Sequence, residues 1–166
     1  MVINSISSLY AVAHTASSTP MGEMSVQSAL QALGKAPGAS VSITDSAQNI
    51  QKYWDRLNSV AGNVTSISVS NLSQRIKISA DQFKNGTDLT NKVQTDQAFE
   101  VYGSISQLNA VSNSSAIQAV DVVDSNVNIQ NNLNSIQAYG SKINSIRFSS
   151  ATNSLNISAD DYLNNF

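Results

Sequence analysis

The chain of 166 residues has no cysteine, one histidine, one tryptophan and two prolines, and only 12% of its residues are charged. Without cysteine it has no disulfide, no thiolate metal ligand and no thiol nucleophile. With His14 as the sole imidazole, a zinc site lacks its usual ligands. A Ser-His-acid triad would have to be built on a residue in a weakly patterned stretch, with no GxSxG turn to present the serine. The charged fraction is about half that of ordinary soluble domains, and nine Lys and Arg against eleven Asp and Glu leave a net charge of −2. The basic residues stand singly, among them Lys35, Lys52, Arg56, Arg75, Lys77, Lys142 and Arg147. They give no footprint for nucleic acid and no polybasic run for an anionic membrane. No apolar run is long enough for membrane insertion as a helix. Neither a cofactor nor a catalytic residue is expected.

Polarity comes instead from Ser, Asn, Gln and Thr, set among residues that are 41% hydrophobic. That suffices for one compact domain or two small fused units. The opening, MVINSISSLYAVAHTASSTPMGEM, has neither a positively charged start nor a sustained apolar stretch, so it lacks the pattern of a Sec-type signal peptide. It reads either as a frayed terminus or first helix, or as an uncleaved export signal of the type III kind.

The chain also writes one phrase twice. IKISADQF (Ile76–Phe83) returns as LNISADDY (Leu155–Tyr162), with Ile78 and Ile157 separated by 79 positions. Carried backwards without gaps, the same offset sets DSAQNIQ (Asp45–Gln51) on DSNVNIQ (Asp124–Gln130). From Asp45 to Phe83 the copies are identical at twelve of thirty-nine positions, where chance gives roughly three. Mismatches such as Val69 for Phe148 and Trp54 for Leu133 exchange like for like. An ungapped internal period marks a duplicated structural unit.

Within the unit the periodicities alternate. VSITD reads as a strand, and Asp45 or Ser46 caps the helix that follows. Ile50, Tyr53, Trp54, Leu57 and Val60 form one helical stripe about three turns long, closed by Gly62. VTSISVS alternates as a strand with a phase slip at Thr65, and RIKIS is expected to pair with it across the turn NLSQ. SADQ reads as a capping box, with Ser79 and Gln82 satisfying each other's backbone amides. The next helix is interrupted at Asn85–Gly86 and resumes through Leu89 and Val93; AFEVYG is a strand closed by Gly103. Upstream, Val26, Ala29, Leu30 and Leu33 share a helical face that ends at Gly34. The expected fold is an α/β repeat: two tandem units of strand, helix, strand, turn, strand and helix stacked on a shared core. An N-terminal segment (1–40), a first repeat (41–103) and a second, truncated repeat (104–166) divide the chain.

The residues Val41, Asp45, Ser46, Ala47, Asn49, Ile50, Leu57, Ile67, Val69, Ile78, Ser79, Ala80 and Gln82, with the linking FEVYGSIS (Phe99–Ser106), carry a resemblance. Over residues 41–166 the chain resembles α/β tandem-repeat modules of very large exported bacterial proteins, the adhesin-like and RTX-associated chains. The resemblance implies a secreted or cell-surface structural or adhesive role rather than a chemistry. Only two copies are present and there is no GGxGxD nonapeptide, so calcium-driven folding is not implied.

Each candidate for chemistry has a structural alternative. Asp121, Asp124 and Asn126, or Asp160 and Asp161, have oxygen ligands close enough for calcium, yet Asp124 and Asp160 are also helix-start residues matched by Asp45 and Asp81. Glu23, Glu100 and the scattered Asp residues single out no carboxylate pair for glycoside hydrolysis. Tyr53, expected to be exposed beside Lys52 and Arg56, is a candidate for stacking on a sugar or a partner. Ser66, Ser68 and Ser70, with Ser145, Arg147 and Ser149, make a polar strand face; of these Ser66, Ser68, Ser70 and Arg147 are the binding candidates, and the alternative is a solvated face protected from aggregation by small polar residues. The expected function is presentation of a Ser/Asn-rich surface to a protein or glycan partner, with self-association through the repeat ends open to such a stack. The alternative is a small secreted effector acting in a target cell.

Overall fold

The computed structural model describes residues 20–94, 99–150 and 154. His14, Ile157, Asp160 and Asp161, with the stretches expected to form the second ISAD helix start and an N-terminal export signal, lie outside the described residues. The described chain is a mixed α/β fold with two parallel sheets. The first sheet holds β1 (Pro20–Met24), β2 (Ser40–Asp45) and β3 (Val64–Val69) in that order; the second holds β4 (Ile76–Ser79), β5 (Phe99–Gly103), β6 (Ile117–Asp124) and β7 (Ile143–Phe148). Between them run α1 (Val26–Lys35), α2 (Ala47–Lys52), α3 (Trp54–Ser59), α4 (Ala80–Asn85), α5 (Thr87–Thr90), α6 (Ile105–Asn109), α7 (Asn126–Asn131) and α8 (Leu133–Gln137).

The local rule that builds this topology is a serine at the end of a strand. Ser25, Ser46, Ser79, Ser104 and Ser125 are extended N-cap residues, and each hydroxyl accepts the N–H three residues ahead, at 3.3, 3.2, 3.1, 3.3 and 3.1 Å. Ser79 with Gln82 and Ser104 with Gln107 complete reciprocal capping boxes. Each capped helix carries the chain back along the sheet, so the next strand enters parallel to the last. The expected hairpin between VTSISVS and RIKIS is therefore corrected. β3 and β4 belong to different sheets, and β4 pairs in parallel with β5 through Ile76↔Phe99 and Ile78↔Val101. Alternation alone does not distinguish a hairpin from a crossover. The turn at Asn71, whose side chain accepts Ser73 N–H at 3.1 Å, passes the chain from one sheet to the other.

The phase slip at Thr65 is a β-bulge. β2 pairs Val41 with Val64 but Ser42 with Ser66, leaving Thr65 unmatched and exposed. The same slip leaves out Gly22, Gln118 and Asn144 in three other pairings. The single stripe expected over Ile50–Val60 is split into α2 and α3 at Tyr53, whose ψ of 13° departs from helical geometry. α1 runs through Gly34 to Lys35. Val93 is a lone bridge to Ile67 on the outer edge of β3 rather than a helical residue. Several bounds recur at the sequence offset of 79: α2 and α7, β3 and β7, and the 3-10 turns Ala61–Asn63 and Gly140–Lys142.

One apolar cluster runs through both sheets and includes Val41, Ile43, Ile50, Ile67, Ile76, Ile78 and Val101. Phe99 sits at its middle, edge-to-face with Trp54 at 5.6 Å and with Phe83 at 5.2 Å between ring centroids, the geometry aromatic quadrupoles favour.

Candidate functional site

Two kinds of polar construction stand out. The first is a strut repeated at the 79-residue offset. Asp45 accepts Val26 N–H at 3.0 Å, Ser46 N–H at 2.8 Å and the Asn49 amide at 2.7 Å. Asp124 accepts Ile105 N–H, Ser125 N–H and the Asn128 amide at the same 3.0, 2.8 and 2.7 Å. The serine is thus the cap of the helix that follows, while the aspartate reaches back to the first amide of the preceding helix, α1 or α6. Burial pushes both carboxyls up, but the Asn49 or Asn128 amide and the backbone N–H groups outweigh it and hold both below the usual carboxylate value. These acids are joints, and Asp121 and Asp124 take different hydrogen-bond partners.

The second construction lies on the outer face of the second sheet. Asp121 on β6, 1% exposed, accepts Ser145 Oγ at 2.6 Å, Asn144 Nδ2 at 3.0 Å and Lys77 Nζ. Lys77 on β4 also binds Glu100 Oε1 on β5 at 2.6 Å. Arg147 on β7 approaches Asp121 Oδ2 to 3.5 Å. Burial raises the Asp121 carboxyl, and the hydrogen bonds from Lys77, Ser145 and Asn144 overcome that and bring it to about 2. Sequence reasoning missed this carboxylate cluster because Glu100 and Asp121 are joined through residues far away in sequence: Lys77, 23 and 44 residues off, and Asn144, 44 and 23 residues off. The signal available was a lone acid at an outward position of each strand, interpretable only once the strands are known to be parallel neighbours.

The corresponding face of the first sheet carries hydroxyls beside Glu23 of β1, which is exposed and stands in register with Ser42. Ser42 and Thr44 on β2 stand in register with Ser66 and Ser68 on β3. Ser42 and Thr65 hydroxyls lie 2.8 Å apart, and Thr65 donates to Val41 O at 2.9 Å. Ser66 and Ser68 are half-buried; Ser70 is exposed just beyond β3, its N–H on Asp45 O at 2.8 Å. Arg147, grouped with these serines in sequence, belongs to the charged face of the other sheet. Tyr53 lies apart from both, on the helix side. It is half-buried rather than exposed, its hydroxyl accepts Gln27 Nε2 at 2.8 Å, and Lys52 Nζ and Arg56 Cζ lie 5.2 and 5.8 Å from its ring centre. An open hollow of about 460 Å³ is lined there by Gln27, Leu30, Gln31, Tyr53 and Arg56.

No acid, base or nucleophile among these groups stands free at the mouth of a cavity. The shifted carboxyls are saturated by hydrogen bonds, and the hollows are lined mainly by amides, hydroxyls and alkyl groups. No family model, no curated protein and no solved structure matches the chain.

Proposed function

We propose that this chain is a non-catalytic structural and binding module of an exported bacterial protein. In this reading it consists of two tandem units of 79 residues stacked on a shared core, and it acts at the cell surface or outside the cell. It offers a Ser/Asn-rich surface to a protein or glycan partner. The observation that carries the reading is the identical strut at Asp45 and Asp124: acids that elsewhere serve chemistry are here committed to fixing one unit geometry twice. The remaining surface is rich in hydroxyls and amides, and only 12% of the residues are charged, which suits hydrogen-bonded recognition with weak electrostatic steering. The hollow beside Tyr53 adds a ring face and a guanidinium to those amides, a combination suited to a sugar.

Fractionation of the producing cells tests the localisation, with export expected and a purely cytoplasmic protein overturning it. A glycan and surface-protein binding screen, run with wild type and Tyr53→Ala, tests the recognition. Binding that drops at least tenfold in the variant is expected, and an absence of binding to any glycan or surface protein would remove the presentation role.

A further inference from the structure

Two hollows on the helix side stand at the 79-residue offset, and they differ in chemistry. The first, of about 460 Å³, is lined by Gln27, Leu30, Gln31, Tyr53 and Arg56. At the offset Gln27, Leu30 and Tyr53 become Ser106, Asn109 and Asn132. Those three line a second hollow of about 320 Å³ between α6 and α7. The aspartate struts beside the two hollows have the same partners at the same distances. The scaffold is therefore repeated while the lining is not. Lys52, Tyr53 and Arg56 give way to Asn131, Asn132 and Ser135, so this arrangement of helices stands equally well without a ring and two cations.

The cations of the first hollow have no counter-charge. Lys52 Nζ and Arg56 Cζ lie 5.2 and 5.8 Å from the Tyr53 ring centre, and neither forms an ion pair among the described residues. The acids nearest in sequence are committed elsewhere. Asp55 Oδ1 accepts Gln82 Nε2 of α4 at 3.0 Å, and Asp45 is held by Val26, Ser46 and Asn49. Gln27 Nε2 donates to the Tyr53 hydroxyl at 2.8 Å and ties the ring to α1.

We infer that this hollow takes a saccharide that carries a carboxylate, of the uronic acid or sialic acid kind. The inference rests on the glycan-recognition reading above and names the class of glycan. The Tyr53 ring and Leu30 offer apolar surface to the C–H groups of a sugar, and the Gln27 and Gln31 amides offer partners to its hydroxyls. The Arg56 guanidinium is a planar fork matched to a carboxylate, and Lys52 adds a second positive charge. A neutral sugar leaves both cations uncompensated, so the carboxylate is the group that separates one ligand from another.

The test is calorimetric titration of the full-length chain with two matched pairs: tetragalacturonate against its methyl ester, and sialyllactose against lactose. At least one acid should bind, at least tenfold more tightly than its neutral partner, and more weakly as salt screens the contact. Arg56→Gln should weaken that acid at least tenfold with an unchanged melt, because the side chain is exposed. Lys52→Gln should flatten the salt dependence, and Asn132→Ala in the second hollow should leave binding as it was. An acid that binds no better than its neutral partner overturns the inference, and so does an affinity that survives Arg56→Gln. Failure of both acids to bind overturns it too, while binding of other glycans or surface proteins would leave the broader recognition role standing. Acid binding by a protein confined to the cytoplasm would instead remove the export reading and keep the site.

Discussion

Asp121 Oδ1 accepts the Ser145 hydroxyl at 2.6 Å, tying β6 to β7 beside the bulge at Asn144. The same carboxylate takes Lys77 from β4, so one buried acid joins three of the four strands of its sheet. Its ionised form is the bonded form. The folded carboxyl titrates at about 2 against an ordinary 3.8, which makes the contribution complete above about pH 4 and removes it as pH falls towards 2. The size is about 2 kcal/mol. Urea unfolding between pH 7 and pH 2 should show this loss in the wild type and a flatter profile in Asp121→Asn. Lys77 is shifted the other way: burial lowers it, and Asp121 with Glu100 outweighs burial and raises it above 10.5. Its contribution is complete below that value and disappears only in stronger alkali.

The struts at Asp45 and Asp124 make a paired prediction. In each, substitution by Asn removes the charge and replaces one accepting oxygen with a donor, opposite amides that need an acceptor. A cost of about 1–3 kcal/mol is expected at each site. With the same three partners at the same distances, the two costs should agree, and the double variant should lose their sum to within about 0.5 kcal/mol. Urea midpoints of the two single variants and the double variant are the measurement.

What was legible in the sequence follows the range of the interaction. Ser79 and Gln82 announce a capping box within four residues, and the box is present. The slip at Thr65 is visible because a bulge disturbs alternation locally, and the bulge is there. The pairing of β4 was misjudged because register between strands is decided by where the intervening helices return the chain, which neither IKIS nor VTSISV encodes by itself. Tyr53 was expected outside; the break between α2 and α3 falls on it and turns its hydroxyl to Gln27. The Lys77–Glu100–Asp121 cluster needed β4, β5 and β6 to be placed side by side before it could be assembled.

Gly86 separates α4 from α5 under tight packing. A Cβ there would stand 2.8 Å from Gln82 O and 3.1 Å from Trp54 Nε1. Its φ of −100° suits any residue, so the requirement is space. The Gln82 carbonyl also accepts Trp54 Nε1–H at 3.4 Å, and both neighbours would have to move. Gly86→Ala should cost about 1–3 kcal/mol and shift the emission of Trp54, the chain's only tryptophan. Ala at exposed Gly62, where a Cβ meets nothing within 4 Å, is the control, with an unchanged spectrum.

Ile67 and Ile146 hold the same place on β3 and β7, yet one is 0% exposed and the other 39%. The short segment Lys92–Gln94, hydrogen-bonded to Ile67 along the edge of β3, and the core beneath it account for the difference. A carboxylate put at Ile67 would be buried without a partner at a cost of several kcal/mol, enough to unfold a domain of ordinary stability. At Ile146 the same carboxylate reaches solvent, and the change should stay within about 1 kcal/mol. Circular dichroism melts of Ile67→Asp and Ile146→Asp decide the matter. Loss of cooperative unfolding in the first alone is the expected result. Comparable damage in both would mean that the β7 edge is covered within its own chain.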